Sequence, residues 1–205
     1  MNLATRREVV IVDAGGANLG SVRFALERLG AIARVSSDAA TIASADRVIL
    51  PGVGAADHGM QRLLELDLVD CLRSLSQPLL GICLGMQLLL TRSAEGGVAM
   101  LDVVPGEVVA LQPFAGGRVP HIGWNRLQPT VQSPLFEGVA DGAYVYFVHG
   151  FAARATGEWT VAATTHGVAF AAAIAQGNRF GVQFHPERSG SVGARVLANF
   201  LALSA

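Results

Sequence analysis

The stretch Pro78-Leu79-Leu80-Gly81-Ile82-Cys83-Leu84-Gly85-Met86-Gln87-Leu88-Leu89-Leu90-Thr91 decides the fold. Residues 78–82 are apolar without alternation, the pattern of a strand buried on both faces and so central in a parallel sheet. Residues 84–91 read as a helix. Between them, Gly81-Ile82-Cys83-Leu84-Gly85 has the G-x-S-x-G spacing of a nucleophile elbow, with sulfur in place of oxygen. An elbow turns a strand sharply into a helix and thrusts one side chain outward. The glycines two residues to either side let neighbouring backbone approach without a Cβ clash. At that apex Cys83 faces the positive end of a helix, which favours thiolate, and the Leu84 N–H points to the same place, ready for an oxyanion. Taken alone, the pentapeptide is equally compatible with a small apolar cysteine in the core.

Outward from the elbow, short apolar runs alternate with helical patterns, the signature of βα units feeding a parallel sheet. Strands are expected over 9–13, 31–36 and 47–50. A helix with Val22, Leu26 and Leu29 on one face is expected between a cap at Asn18 and a stop at Gly30. A further helical segment is expected over about 55–75, with Met60, Leu63 and Leu64 apolar. Beyond Gly96 the runs shorten and become β-like, over 108–111, 144–148, 159–165, 170–174 and 180–184, which predicts a mixed or antiparallel second half. Val192, Val196 and Phe200 lie at i, i+4 and i+8, so the chain closes with an amphipathic helix. No repeat or linker interrupts it, and 1–205 is expected to be one domain.

Composition excludes several function classes. Of 205 residues, 51% are apolar and 15% charged, a folded chain's balance. No run reaches the ~18 uninterrupted apolar residues of a spanning helix, so no membrane role is expected. Fifteen bases, all arginine, face 16 acids for a net charge of −1, leaving no broad positive field for nucleic acid. The Arg6-Arg7 pair is the one place where arginines are not scattered singly. A lysine-free chain has no Walker lysine, and Gly15-Gly16-Ala17-Asn18-Leu19-Gly20 does not match G-x-G-x-x-G, so nucleotide binding has little support. Cys71 and Cys83 cannot build a disulfide framework or a four-ligand zinc site, and 1–8 lacks the long apolar segment of a secretory signal, so none is expected. A reducing cytoplasm is the expected compartment.

A cysteine nucleophile needs a base and a group to orient that base. Phe184-His185-Pro186-Glu187 offers both at the end of an apolar strand. Proline biases His185 toward an extended conformation, and in extended chain residues two apart project to the same side, bringing His185 and Glu187 together. On its own a histidine before proline is more often an ordinary turn residue. The order Cys, His, Glu differs from the Ser, acid, His order of α/β-hydrolases. Pro51-Gly52-Val53-Gly54 follows a strand and could bring a second backbone N–H toward Cys83, or be an ordinary turn. His58, His121, His149 and His166 show no metal-ligand spacing, so no metal is expected. Cys71 reads as a core thiol. Trp124, within Pro120-His121-Ile122-Gly123-Trp124-Asn125, suits either core filling or an interface anchor.

With these residues in view, the chain resembles the class I (triad) glutamine amidotransferases, and among them the glutaminase subunits of imidazole glycerol phosphate synthase. The carriers are Ile11-Val12-Asp13 with Asn18-Leu19, Pro51-Gly52-Val53-Gly54-Ala55, the elbow through Gln87, the segment from Val119 to Asn125, Tyr146-Phe147-Val148-His149, and Gln183 to Glu187. The resemblance implies an α/β fold: a flavodoxin-like three-layer sandwich whose central, mostly parallel sheet carries added antiparallel strands. It implies a glutaminase in which Cys83 attacks the side-chain amide of glutamine, His185 shuttles the proton and Glu187 orients His185. The amides of Gly52 and Leu84 would form the oxyanion hole, and Gln87 would help hold substrate. It implies no cofactor. The implied partner is a (β/α)8 cyclase in a heterodimer, receiving ammonia to make imidazole glycerol phosphate and AICAR, with Asn18, Pro120, His121 and Trp124 facing it. The chain departs from the family at Ala14, where a tyrosine is expected, and at Ala17, where a glycine is expected. A non-catalytic binding subunit, or a sister amidotransferase serving anthranilate, aminodeoxychorismate or pyridoxal phosphate synthesis, are the competing readings.

Overall fold

The computed structural model describes residues 8–15 and 18–203; Ala17, the Arg6-Arg7 pair and the first seven residues lie outside the described ones. The first half forms β1 (Glu8–Val12), α1 (Leu19–Arg28), β2 (Ile32–Ser36), α2 (Ala39–Ala43), β3 (Arg47–Gly52), α3 (Ala56–Glu65), α4 (Val69–Ser74), β4 (Leu79–Cys83) and α5 (Leu84–Leu88). The second half is rich in strands: β5 (Arg92–Ser93), β6 (Val98–Ala99), β7 (Glu107–Ala110), β8 (His121–Arg126), β9 (Gln128–Pro129), β10 (Tyr144–His149), β11 (Phe151–Ala153), β12 (Thr160–His166), β13 (Val168–Gln176) and β14 (Arg179–Val182). It closes with α6 (Gly190–Ala202).

Eight strands make the central sheet in the order β2-β1-β3-β4-β14-β13-β12-β9. From β2 to β14 the pairs are parallel; β13, β12 and β9 continue the sheet antiparallel. The apolar runs lack alternation because both faces are covered. Val9, Ile11, Ile49, Leu80 and Ile82 pack with Val22 and Leu26 of α1 and Val196, Leu197 and Phe200 of α6. Val10, Val12, Val48, Leu50 and Leu79 pack with Met60 and Leu63 of α3 and Leu72 of α4. Each such side chain contributes about 1.5–3 kcal/mol by leaving water.

Local expectations were corrected in four places. The helix expected over 55–75 is two helices, because Asp67 adopts φ 54° and turns the chain between them. Leu64 falls on the outer face of α3, 61% exposed, while Met60 and Leu63 are buried. The helix expected over 84–91 stops at Leu88: the chain turns there to enter β5, which pairs with β7. α2 was missed; five residues give no periodicity, and its mark is the cap at Asp38, whose Oδ2 accepts from the Thr41 N–H at 2.8 Å. The 120–125 motif carries no strand signal in its sequence, yet β8 pairs antiparallel with β10 along its whole length as a separate two-stranded ribbon.

Parallel strands deliver their C-terminal ends to one sheet edge, where ligands bind in open α/β sheets. Here the register sets Gly52, the last residue of β3, beside Cys83, the last of β4. β14, also parallel to β4, leads from Val182 into Gln183 and His185 at that edge.

Candidate active site

Cys83 stands at φ 55°, ψ −112°, a region L-residues rarely enter, on the junction of β4 and α5. The junction is tight enough to require its glycines. A Cβ on Gly85 would lie 1.7 Å from the Leu50 carbonyl oxygen, and one on Gly81 would lie 2.5 Å from the Gly85 oxygen. Because α5 has one turn and a half, the field at the sulfur comes from the first-turn N–H groups around Leu84 and not from a long helix dipole.

His185 and Glu187 meet, though not by extended-chain alternation. His185 is extended (φ −97°, ψ 98°), but Pro186–Arg188 forms a 3-10 turn that brings Glu187 back under the ring. Glu187 Oε1 lies 2.8 Å from His185 Nδ1, and the carboxylate side chain is fully buried. The ring is anchored through its backbone: the His185 N–H donates to the Tyr146 carbonyl, and the Ser189 hydroxyl donates to the His185 carbonyl at 2.7 Å. Among the described residues, Nε2 has no oxygen or nitrogen partner at hydrogen-bond geometry. Burial opposes charge on the ring, but hydrogen bonding and charge from Cys83 and Glu187 prevail and raise its pKa to about 10. The imidazole is therefore held in its protonated form at neutral pH.

Asn18 was expected to cap α1 with its side chain and to face a partner. It sits at φ 82° and makes no side-chain cap. Instead its Nδ2 donates to Glu187 Oε1 at 2.5 Å, so the first loop holds the carboxylate that holds the imidazole. Nothing in the loop sequence signals this partner, which is 169 positions away.

A pocket of about 640 Å³ opens over Cys83 and His185. From the glycine loop, Val53 and Gly54 line it, whereas a Cβ added at Gly52 would lie 2.9 Å from Leu84 Cβ and from the Gly85 nitrogen. Glu95 and Arg188, not singled out from sequence, give the wall one carboxylate and one guanidinium; Glu95 Oε2 also accepts from the Ala56 N–H at the start of α3. Gln87 lines the pocket too, but its Nε2 is engaged, donating to the Phe151 carbonyl and to Gln183 Oε1, both at 2.9 Å.

Beneath β8 and β10 three histidine rings come together. His121 was expected to face a partner; it is buried, 4.1 Å between centroids from His166 and 3.1 Å from His149 Nε2 through its Nδ1. Strand alternation explains the correction: Ile122 and Trp124 take the outer face, so His121 takes the inner one. His149 Nδ1 donates to the Phe151 carbonyl at 2.9 Å, which leaves its Nε2 to accept from His121. Burial first, then the neighbouring rings, hold His121 to about 3; burial chiefly holds His149 to about 4. Unfolded, both titrate near 6.5, so below that pH the unfolded chain binds more protons and stability falls as pH drops toward 4. His185 has the opposite sign: its contribution is complete below about 6.5 and is lost as pH rises through 10. Urea midpoints are therefore expected to peak near neutrality, and a His121→Gln, His149→Gln variant to show a shallower acid limb.

The outer face of the ribbon is apolar. Ile122 is 62% exposed and Trp124 54%, and Tyr144 and Val148 are exposed beside them. Trp124 meets Tyr146 edge-on at 6.0 Å, Arg188 lies over the Tyr146 ring, and Arg126 lies over Tyr144. Pro120 is exposed at the start of β8. Val148, His149 and Gly150, at the end of this ribbon, line the pocket, so the apolar face adjoins the mouth of the site.

A cysteine on an elbow and a buried histidine–glutamate pair, delivered to one edge of a parallel sheet, are the parts of an acyl-transfer enzyme with a cysteine nucleophile. The chain belongs to the class I glutamine amidotransferases, matching the family model "Glutamine amidotransferase class-I" over residues 10–203. Its relatives include "Imidazole glycerol phosphate synthase subunit HisH" of Xanthomonas euvesicatoria, 56% identical over 96% of this chain and 98% of that one. The HisH subunit of Xylella fastidiosa is 54% identical over 97% and 98%. Among solved structures, a glutamine amidotransferase shares the fold at a TM-score of 0.72 and 23% identity, covering 94% of this chain and 96% of that one. A glutamine amidotransferase of Thermotoga maritima does so at 0.64 and 20%, covering 91% and 79%. No helix among the described residues is long and apolar enough to cross a membrane.

Proposed function

We propose that this chain is the glutamine-hydrolysing subunit of imidazole glycerol phosphate synthase and passes ammonia to a (β/α)8 cyclase subunit bound on the β8–β10 ribbon. The observation that carries the reading is the pocket: Cys83 and His185 lie on its wall, Glu187 stands behind the ring, and an exposed apolar face adjoins its mouth. Thiolate Cys83 attacks the side-chain carbonyl carbon of glutamine, and the Leu84 N–H with the Gly52–Gly54 loop receives the oxyanion. His185 gives its Nε2 proton to the leaving ammonia, then takes one from the water that cleaves the thioester to glutamate. Glu187, held by Asn18, keeps Nδ1 protonated and the ring in place. Glu95 and Arg188 match the ammonium and carboxylate of an amino acid, and Gln87 forms part of the same wall.

The chain is expected to release glutamate faster with the cyclase and its nucleotide substrate than alone. Trp124→Ala should weaken the complex at least tenfold, as loss of a central aromatic anchor does, without altering the elbow. Titration calorimetry and a glutamate assay read both effects. Co-purification with a partner that is not a barrel, or a complex indifferent to Trp124→Ala, would reject the assignment in favour of a sister amidotransferase.

A further inference from the structure

Gln183 is completely buried, and its carboxamide spans the space between Gln87 and the reacting sulfur. Its Nε2 lies 3.7 Å from Cys83 Sγ and donates to it; its Oε1 accepts from Gln87 Nε2 at 2.9 Å. An amide can turn end for end, so its direction needs a cause. Here the cause is a backbone carbonyl. Gln87 Nε2 also donates to the Phe151 oxygen, which forces the NH₂ end of Gln87 toward both acceptors and leaves Gln183 to present oxygen to Gln87 and nitrogen to sulfur. The Phe151 oxygen is fixed in turn by the His149 Nδ1–H. Besides the His185 ring, the Val148 carbonyl lies 3.9 Å from the sulfur, where it attracts a thiol proton and repels a thiolate.

We propose that Gln183 is a catalytic residue that donates a hydrogen bond to the Cys83 thiolate, and that Gln87 is the positioning residue that aims it. A buried anion without a donor is costly, and a hydrogen bond to a charged group is among the stronger ones. His185 supplies the sulfur with a proton partner that departs with ammonia; Gln183 supplies a donor that stays through both halves of the reaction. The assignment rests on Cys83 being the nucleophile of the hydrolysis proposed above, and it gives Gln87 work beyond contact with substrate.

The test is the pH profile of Cys83 alkylation by iodoacetamide in a Cys71→Ala background, which needs no glutamine turnover. Gln183→Met keeps the volume and removes the donor, and its alkylation midpoint is expected to rise by about one pH unit, a tenfold loss of thiolate near neutrality. Gln87→Met leaves Gln183 in place but frees its amide to turn, and a smaller rise is expected. In glutamate release both variants should lose kcat rather than raise KM alone. A Gln183→Met protein that melts like its parent and keeps the parental profile overturns the proposal. Should that variant fail to fold, Gln87→Met decides: an unchanged profile with a raised KM overturns it, and a raised midpoint supports it. A raised midpoint in a parent chain that does not hydrolyse glutamine at all would sink the glutaminase reading and the catalytic role with it, and leave only the hydrogen bond from Gln183 to the sulfur standing.

Discussion

Cys83→Ala is expected to give a folded chain whose glutamate release falls about 10⁴-fold or more, whether or not the cyclase is present. Alanine fits the elbow, because the strain at φ 55° is set by the backbone that Gly81 and Gly85 allow, and the lost sulfur takes with it only side-chain contacts to the Val148 carbonyl, the Gln183 amide and the His185 ring. What disappears is covalent catalysis: His185 and Glu187 remain, with no nucleophile to deprotonate. Ammonia added to the buffer should bypass the defect and restore synthesis by the partner. Circular dichroism and a glutamate assay on the same preparation check the expectation; appreciable turnover by a folded Cys83→Ala chain would remove the elbow from the mechanism.

Gly85→Ala is expected to be worse for the protein as a whole. The added methyl would lie 1.7 Å from the Leu50 oxygen and 2.7 Å from its carbon, both backbone atoms of the central strand β3. No side chain can swing away to make room, so either β3 or the elbow must move. The cost is roughly 4 kcal/mol or more, a large fraction of the ~5–15 kcal/mol that a domain has in total. Insoluble or strongly destabilised protein is the expected outcome in a thermal melt. Gly20→Ala is the control. Its Cβ would meet nothing nearer than Phe24 Cε2 at 3.9 Å, inside α1, where alanine is worth about 0.5–1 kcal/mol over glycine, so its melting temperature should rise.

The parallel half of the fold was legible because buried strands and amphipathic helices write their burial into local periodicity: β1, β2, β3 and β4 fall within a residue or two of their expected places. Elements without a period were not. α2 is too short, and the break at Asp67 interrupts a run whose apolar spacing continues across it. The elbow and the His-Pro-Glu turn could be named as candidates, since each needs particular residue types at fixed short spacing. Their meeting could not be read from either one.

By itself the sequence offered a strand-to-helix apex at Cys83 as one of two readings and set an imidazole and a carboxylate two residues apart, because those are local consequences of glycine, proline and hydrophobic patterning. The tertiary structure alone decided who holds whom: Asn18 on Glu187, Gln183 on the sulfur, His121 turned inward while Trp124 turns out. These contacts join positions as many as 169 residues apart, and no spacing along a chain encodes them. They exist because parallel pairing brings the ends of β3, β4 and β14 to one edge, where burial leaves each polar group only the partners that the packed strands bring within reach.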